Sequence, residues 1–377
     1  MNPLDAPPEY LDIPLDEQND FYSDDDLFKI QSWGADLSFR ELISRYDEDE
    51  LVKPELQRHY VWDKSEASRF IDSILLGLPV PSIFLAKTKN EKLLIIDGYQ
   101  RLMTVRDFVK GIFSKDGKVF KLSRTGKIHE KWRGKAFAEL EEEEQRRIRN
   151  TTIHAIIFMQ RSPEDGDTSL FQVFERINSS GRTLLPQEIR NCVYQGPLNT
   201  SLLSLNKNER WRHLYGKQVR DDRMRDVEFI LRFFALSSDE ILTPEKSPSR
   251  ISLKKYLNQY MDRCNNEQVI PKLEEKFNSS INAVYEVFGV TAFHNISPSN
   301  PEQFVDRFSP TLFDSILISF SLAIQNGKYI GGADMLRAKK IELLLDPDYQ
   351  KLLSQETMRT PNIRDRVKKA YTAFFGE

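Results

Sequence analysis

Five consecutive residues, Asp97-Gly98-Tyr99-Gln100-Arg101, put a carboxylate, a glycine, an amide and a guanidinium where an apolar run gives way to helical spacing. A strand that ends in Asp-Gly and turns into a helix exposes the unpaired N–H groups of the first helical turn. The helix dipole adds positive potential there. Gly98 lets a ligand approach the backbone closely. Arg101, in the first turn, offers phosphate oxygens a planar fork. Asp97, at the carboxyl end of the strand, is placed to hold a divalent metal or to orient a water. The same residues also read as an ordinary turn and cap with Arg101 facing solvent, and the pentapeptide alone leaves both readings open.

A second polar pair, Gln57-Arg58, interrupts the extended stretch from Pro54 to Trp62 just before a helix and repeats the Gln-Arg of Gln100-Arg101. Two such pairs at element ends, each near a helix N-terminus, suit an anion site. A third cluster, Glu175-Arg176-Ile177-Asn178, leads to Gly181 and closes a helix with functional side chains rather than simple caps.

The elements that must position these groups are readable from periodicity. Ser38 with Glu41, and Asp63 with Glu66, have capping-box spacing. Ala67, Phe70, Ile71, Ile74, Leu75 and Leu78 recur at helical intervals up to Gly77. Residues 80–86 and 93–96 read as buried strands joined by a polar loop, and 100–109 reads as a helix. Asp116-Gly117 between short apolar pairs signals a hairpin. Residues 139–149 predict a charged surface helix and 152–159 a core strand. Asp167 caps a helix carrying Phe171 and Ile177, and Pro186 opens the next one. From about residue 198 only helical spacing is visible, notably at 227–236, 253–263, 281–288, 312–324 and 364–375. The expected architecture is therefore an α/β domain over 31–195 followed by an all-α domain over 196–377.

Composition narrows the class. A chain of 377 residues exceeds one ordinary core and predicts two domains. A net charge of −3 argues against gripping nucleic acid by bulk electrostatics, although a local basic surface is compatible with it. Cys192 and Cys264 form no CxxC pair, which fits a reduced compartment and excludes a structural zinc site. With no apolar run of membrane-spanning length and no leader pattern, the expected location is the cytoplasm, with no membrane partner. Residues 1–28 carry nine carboxylates and no Lys or Arg, so 1–30 is expected to be a flexible acidic tail. The sharper alternative is an arm that packs across a basic groove as a mimic of nucleic acid.

Four stretches in order resemble the N-terminal domain family of the GmrSD-type restriction enzymes, a ParB/sulfiredoxin-like domain. They are Pro54-Glu55-Leu56-Gln57-Arg58 through Trp62, Ser73-Ile74-Leu75-Leu76-Gly77-Leu78-Pro79-Val80-Pro81, Ile96-Asp97-Gly98-Tyr99-Gln100-Arg101-Leu102, and Phe174-Glu175-Arg176-Ile177-Asn178-Ser179-Ser180-Gly181 with Glu188-Ile189. The resemblance spans residues 33 to 194. It implies nucleoside-triphosphate binding and hydrolysis in bacterial defence against phage or modified foreign DNA. Asp97, Gly98, Gln100 and Arg101 match the family's Asp-Gly-Gln-Gln-Arg site, and Gln57 and Arg58 complete it. Tyr99 stands where the family has Gln, replacing an amide by a single hydroxyl on a ring. That ring either stacks on a base or packs. Relatives often add a C-terminal HNH nuclease. Of His59, His129, His154, His213 and His294, only His294 lies far enough toward the C-terminus, and it reads as a loop residue without a partner.

The leading expectation is a nucleotide-driven switch. Asp97, Gln100 and Arg101 are its catalytic residues, with Asp97 the metal contact. Gln57, Arg58, Gly98, Tyr99, Arg176 and Asn178 bind the nucleotide, and Mg²⁺ arrives with the triphosphate. Its partners would be DNA or a separately encoded effector nuclease, with a homodimer expected from ParB-like relatives. A metal-dependent nuclease using Asp97 with Asp116-Gly117-Lys118 is a second reading. A non-catalytic DNA- or protein-binding module is a third. It rests on Arg210, Arg212, Lys217 and Arg220 interleaved with Trp211 and Tyr215.

Overall fold

The computed structural model describes residues 9–18, 30–53, 62–88, 91–160, 171, 173, 177, 185–297, 300–328 and 330–376. The α/β part is built on a mixed sheet of β1 (Ile30–Ser38), β2 (Leu51–Val52), β3 (Ile83–Lys87), β4 (Leu93–Asp97) and β7 (Thr152–Gln160), in the spatial order β1-β7-β3-β4-β2. β3 runs parallel to β7 and antiparallel to β4. A separate hairpin, β5 (Ile112–Phe113) with β6 (Lys118–Val119), closes through Asp116-Gly117 as its sequence predicts.

The apolar run of β4 is explained by burial on both faces. Leu93 and Ile95 join Leu85, Ile153 and Ile157 against α2 (Phe39–Asp47), α3 (Lys64–Leu75), α4 (Tyr99–Lys110) and α5 (Glu142–Asn150). Leu94 and Ile96, one residue out of phase, join Ala86 and Phe158 on the opposite face, against Phe171, Ile189 and Cys192. Ser38 caps α2 by accepting from the Glu41 amide, and Asp63 and Glu66 form a reciprocal capping box on α3. Residues 80–82, expected as strand, lie outside β3, because the carbonyls of Pro81 and Ser82 accept from Arg101 instead.

α6 (Pro186–Val193) ends the α/β part: Ile189 and Cys192 cover the sheet, while Arg190 reaches the helical part and donates to Asn258 and Glu228, each at 2.7 Å. Beyond it lie α7 (Pro197–Leu205), α8 (Glu209–Tyr215), α9 (Arg225–Leu236), α10 (Asp239–Leu242), α11 (Leu253–Arg263), α12 (Ile270–Phe288), α13 (Pro310–Gln325), α14 (Ala333–Leu345), α15 (Pro347–Ser354) and α16 (Thr360–Phe375). They share one large core centred on Trp211, Phe233, Phe277 and Phe313. One expectation fails here. β8 (His294–Ser297) and β9 (Asn300–Phe308) form an antiparallel hairpin inside the helical region, and His294 sits in β8 rather than in a loop.

The flexible tail also needs correction. Residues 9–18 pack on the helical region, with α1 (Leu15–Gln18) a single turn. Phe308 donates its amide to the Tyr10 carbonyl and accepts from the Asp12 amide, both at 2.9 Å, so the arm extends β9. Leu11 is buried in the helical core. Glu17, 3% exposed, binds Arg232 through two hydrogen bonds of 2.5 and 2.9 Å. Asp314 accepts from the same arginine at 2.7 Å and from Arg366 at 2.8 Å. The charges balance, two carboxylates against two guanidiniums, and the apolar residues between the acids supply the burial that the tail's composition conceals.

Two outcomes follow. Asp314→Asn leaves two buried guanidiniums facing one carboxylate and is expected to lower unfolding free energy by about 3 kcal/mol or more in denaturant titration; an unchanged midpoint contradicts the network. Burial opposes the Glu17 charge, but Arg232 and then Arg366 hold its carboxyl below the ordinary 4.5. Its stabilisation is full above that value and is lost only as pH falls through the lowered one. Hydrogen-exchange protection factors at residues 9–18, corrected for the pH dependence of intrinsic exchange, should therefore hold down to pH 4.5 and fall below it.

Candidate nucleotide site at the start of α4

The chain leaves β4 at Asp97 and turns through Gly98 into α4. Gly98 has φ of +105°, and a Cβ there would come within 2.2 Å of Ile83 Cγ2 on β3. Glycine is thus required by the crossing itself, through both the left-handed backbone and the contact with β3. The N-cap residue Gly98 has no side chain to cap the helix, and no acidic residue lies in its first turn. The helix dipole contributes positive potential at this end, where Asp97 also stands.

Arg101 is not a free phosphate fork. Its guanidinium donates to the Pro81 carbonyl at 2.7 Å, to the Ser82 carbonyl at 2.9 Å, and to Asp97 Oδ2. The side chain is only 13% exposed, while Asp97 keeps 46% of its own exposed. Arg101 therefore pins the lead-in to β3, the end of β4 and the start of α4 to one another, and it fixes the Asp97 carboxylate. Tyr99 is buried in the core, 6.5 Å from the Tyr46 ring, and packs rather than presenting a stacking face. Burial, and then its neighbour Tyr46, push the phenol above its ordinary value, so the hydroxyl stays neutral.

Gln57 and Arg58 lie outside the described residues, but both flanks of their segment are fixed. On one side Lys53 Nζ lies 5.7 Å from the Tyr99 ring centroid. On the other, Gln100 Oε1 accepts from the Trp62 amide at 3.3 Å. Lys53 and Trp62, the described residues on either side of 54–61, thus both contact the first turn of α4. Lys53 also gives its carbonyl to Gln195 Nε2 at 3.2 Å, just past α6. Arg176 and Asn178 lie outside the described residues, while Ile177 between them packs against the sheet core.

For a divalent cation the described side chains offer Asp97 alone, with one oxygen already on Arg101. Among the described residues no three His, Cys, Asp or Glu side chains converge. That donor set fits a Mg²⁺ carried in by phosphates and completed by water rather than one held by a protein cage. Asp116 serves its turn, accepting from the Lys118 amide at 2.9 Å and pairing with Lys64.

The basic stretch after 207 divides. Arg212 is buried, with an ion pair to Asp226 at 2.6 Å and further bonds to Asn206, Lys217 and Val219. Trp211 and Tyr215 are core residues, so no aromatic face is left for bases. Arg210 pairs with Glu286, whereas Lys217 and Arg220 remain on the surface. Sequence reasoning missed the buried Glu17–Arg232–Asp314–Arg366 set, whose members are scattered over the chain without a local pattern.

Residues 39–195 match the family model described as GmrSD restriction endonuclease, N-terminal domain, in agreement with the resemblance read from the motifs. No curated protein and no solved structure matches the chain.

Gly98→Ala is expected to cost about 2 kcal/mol or more, combining positive-φ strain with the Ile83 contact. Ile83→Ala removes the clashing methyl. In a thermal-unfolding double-mutant cycle the pair should therefore cost less than the sum of the single changes. Additivity contradicts the crowding.

Proposed function

We propose that residues 39–195, a domain of the GmrSD restriction endonuclease N-terminal family, bind and hydrolyse a nucleoside triphosphate where the segment over 54–61 meets the first turn of α4. The observation that carries this reading is the pair of contacts flanking that segment. Lys53 over Tyr99 and Trp62 on Gln100 support bringing Gln57 and Arg58 to the same helix end as Asp97 and Gln100. The N-terminus of α4, which follows Gly98 without an acidic first-turn residue, and the Arg58 guanidinium are the natural holders of phosphate oxygens. Gln57 and Gln100 orient the nucleotide. Asp97, half-exposed beside them, takes the water or the incoming Mg²⁺ and is the acid–base candidate. Arg101, committed to two backbone carbonyls and Asp97, acts as a positioning residue rather than as a phosphate ligand.

The site is joined to the helical part by a continuous path. Lys53 bonds to Gln195 after α6, and Arg190 on α6 bonds to Glu228 on α9 and Asn258 on α11. Nucleotide bound at this helix end would bias this path and so the engagement of DNA or of a separately encoded effector nuclease, as a restriction or defence module requires.

Phosphate release from each of the four triphosphates with Mg²⁺, with and without DNA, tests the reading on wild type, Arg58→Ala, Asp97→Asn and Arg101→Lys. Arg58→Ala should lower kcat/KM roughly 10- to 100-fold without lowering the melting temperature, the effect of losing a charge-assisted phosphate contact. Asp97→Asn should abolish turnover while the fold persists. Arg101→Lys should lower melting temperature and activity together. Wild type that neither binds nor cleaves any triphosphate, or Arg58→Ala with full activity, overturns it.

A further inference from the structure

The nucleotide reading leaves unused the charged surface that the N-terminal arm crosses. Tyr10 donates its hydroxyl to Asp221 at 2.6 Å, and Lys217 Nζ lies 3.5 Å from the Tyr10 ring centroid. Seven residues on, Glu17 is buried against Arg232 and accepts from Thr357 at 3.1 Å. Two hollows sharing Arg223 and Arg225 flank the arm between these anchors. One is a cavity of about 210 Å³ between Leu11, Ile13 and Glu17 of the arm and Pro186, Gln187 and Arg232 of the body. The other is an open trough of about 570 Å³ under Tyr10.

The walls carry Lys217, Arg220, Arg223, Arg225 and Arg232 against only Asp221, Asp222 and Glu228 of the folded body. Some of these cations are engaged: Arg223 pairs with Glu188 at 2.9 Å and Arg225 with Asp221 at 3.6 Å. Asp314 answers Arg232 as well, so the walls alone are balanced; it is Arg366, sharing that same Asp314, that leaves one buried cation for the arm's carboxylate to offset. A second sign of an unfilled requirement is Gln187, 1% exposed and lining the cavity, whose Nε2 has no hydrogen-bond partner among the described residues. Without Glu17, Arg232 and Arg366 would share only Asp314, leaving a net buried positive charge that another anion would relieve. Guanidinium forks match phosphate oxygens, and residues 1–28 present nine carboxylates with no Lys or Arg to oppose them.

We propose that this groove is a docking surface for the phosphate backbone of DNA and that the acidic arm is its intramolecular competitor. The competition rests on the contacts above; the choice of DNA as the polyanion rests on the restriction reading. Displacing the arm uncovers the groove, so the chain holds DNA weakly until the arm is lifted. The path from the nucleotide site reaches this wall at α6 and Glu228.

Fluorescence anisotropy with a short labelled duplex of random sequence tests it on the full-length chain. Glu17→Gln removes the arm's charge, and Leu11→Ala loosens the arm without touching Arg232. Each should tighten DNA binding about tenfold, a typical coupling between linked sites, and steepen its salt dependence. Adding Lys217→Glu and Arg220→Glu on the exposed rim should remove the gain. Should Glu17→Gln fail to fold by circular dichroism, Leu11→Ala decides. Loosened variants that bind DNA no tighter, a gain that survives the charge reversals, or displacement by polyglutamate as effective as by DNA each overturns the proposal. Phosphate release from the same samples separates the two sites: its persistence alongside unchanged DNA binding rejects the groove alone.

Discussion

One guanidinium holds the candidate site together. Arg101 reaches back across twenty residues to the carbonyls of Pro81 and Ser82 and sideways to Asp97, so the lead-in to β3, the end of β4 and the start of α4 share one hydrogen-bonded centre. Residues 81 and 82 precede β3, and their carbonyls accept their hydrogen bonds from Arg101. The arginine satisfies them and fixes the carboxylate. Gly98 sits at the same centre because only a residue without Cβ fits beside Ile83 at that backbone angle. The exposed chemistry of Asp97 and Gln100 depends on a structural residue that looks, from its type alone, like a ligand.

The sheet gives this centre its rigidity. β4 is covered on both faces, so the four residues that lead into Asp97 are held by two cores at once. The second of those cores includes α6, an element that also bonds into the helical part, through Arg190. In the proposed switch, a change at the nucleotide site would reach Lys53, its partner Gln195 and, through α6, Glu228 beside the groove that the acidic arm crosses. Nucleotide chemistry and polyanion binding would meet along α6 without a direct contact between the two ligands.

Much of the fold was legible because its signals are local. Ser38 with Glu41, Asp63 with Glu66 and Asp116-Gly117 act within three or four residues of chain, and each does what its spacing implies. The alternation of Leu93, Leu94, Ile95 and Ile96 between two cores is written in one apolar run. What was not legible depends on partners distant in sequence. Arg101 meets carbonyls at 81 and 82, Arg212 is drawn inward by Asp226, and Glu17 finds Arg232 and Thr357. The tail read as solvated because carboxylates dominate its composition, yet Tyr10, Leu11 and Ile13 supply enough apolar surface to dock it. The β8–β9 hairpin escaped notice because its residues are largely polar and its edge is completed by the arm rather than by its own periodicity.

The central claim is that the segment over 54–61 and the first turn of α4 surround one nucleotide, and photolabelling tests it most directly. An azido-substituted triphosphate, irradiated with the full-length chain and mapped by peptide mass spectrometry, should mark residues 54–62 and 97–110, with unlabelled nucleotide suppressing both. Label confined to the arm groove or to the helical core, or label that excess triphosphate does not displace, would contradict it.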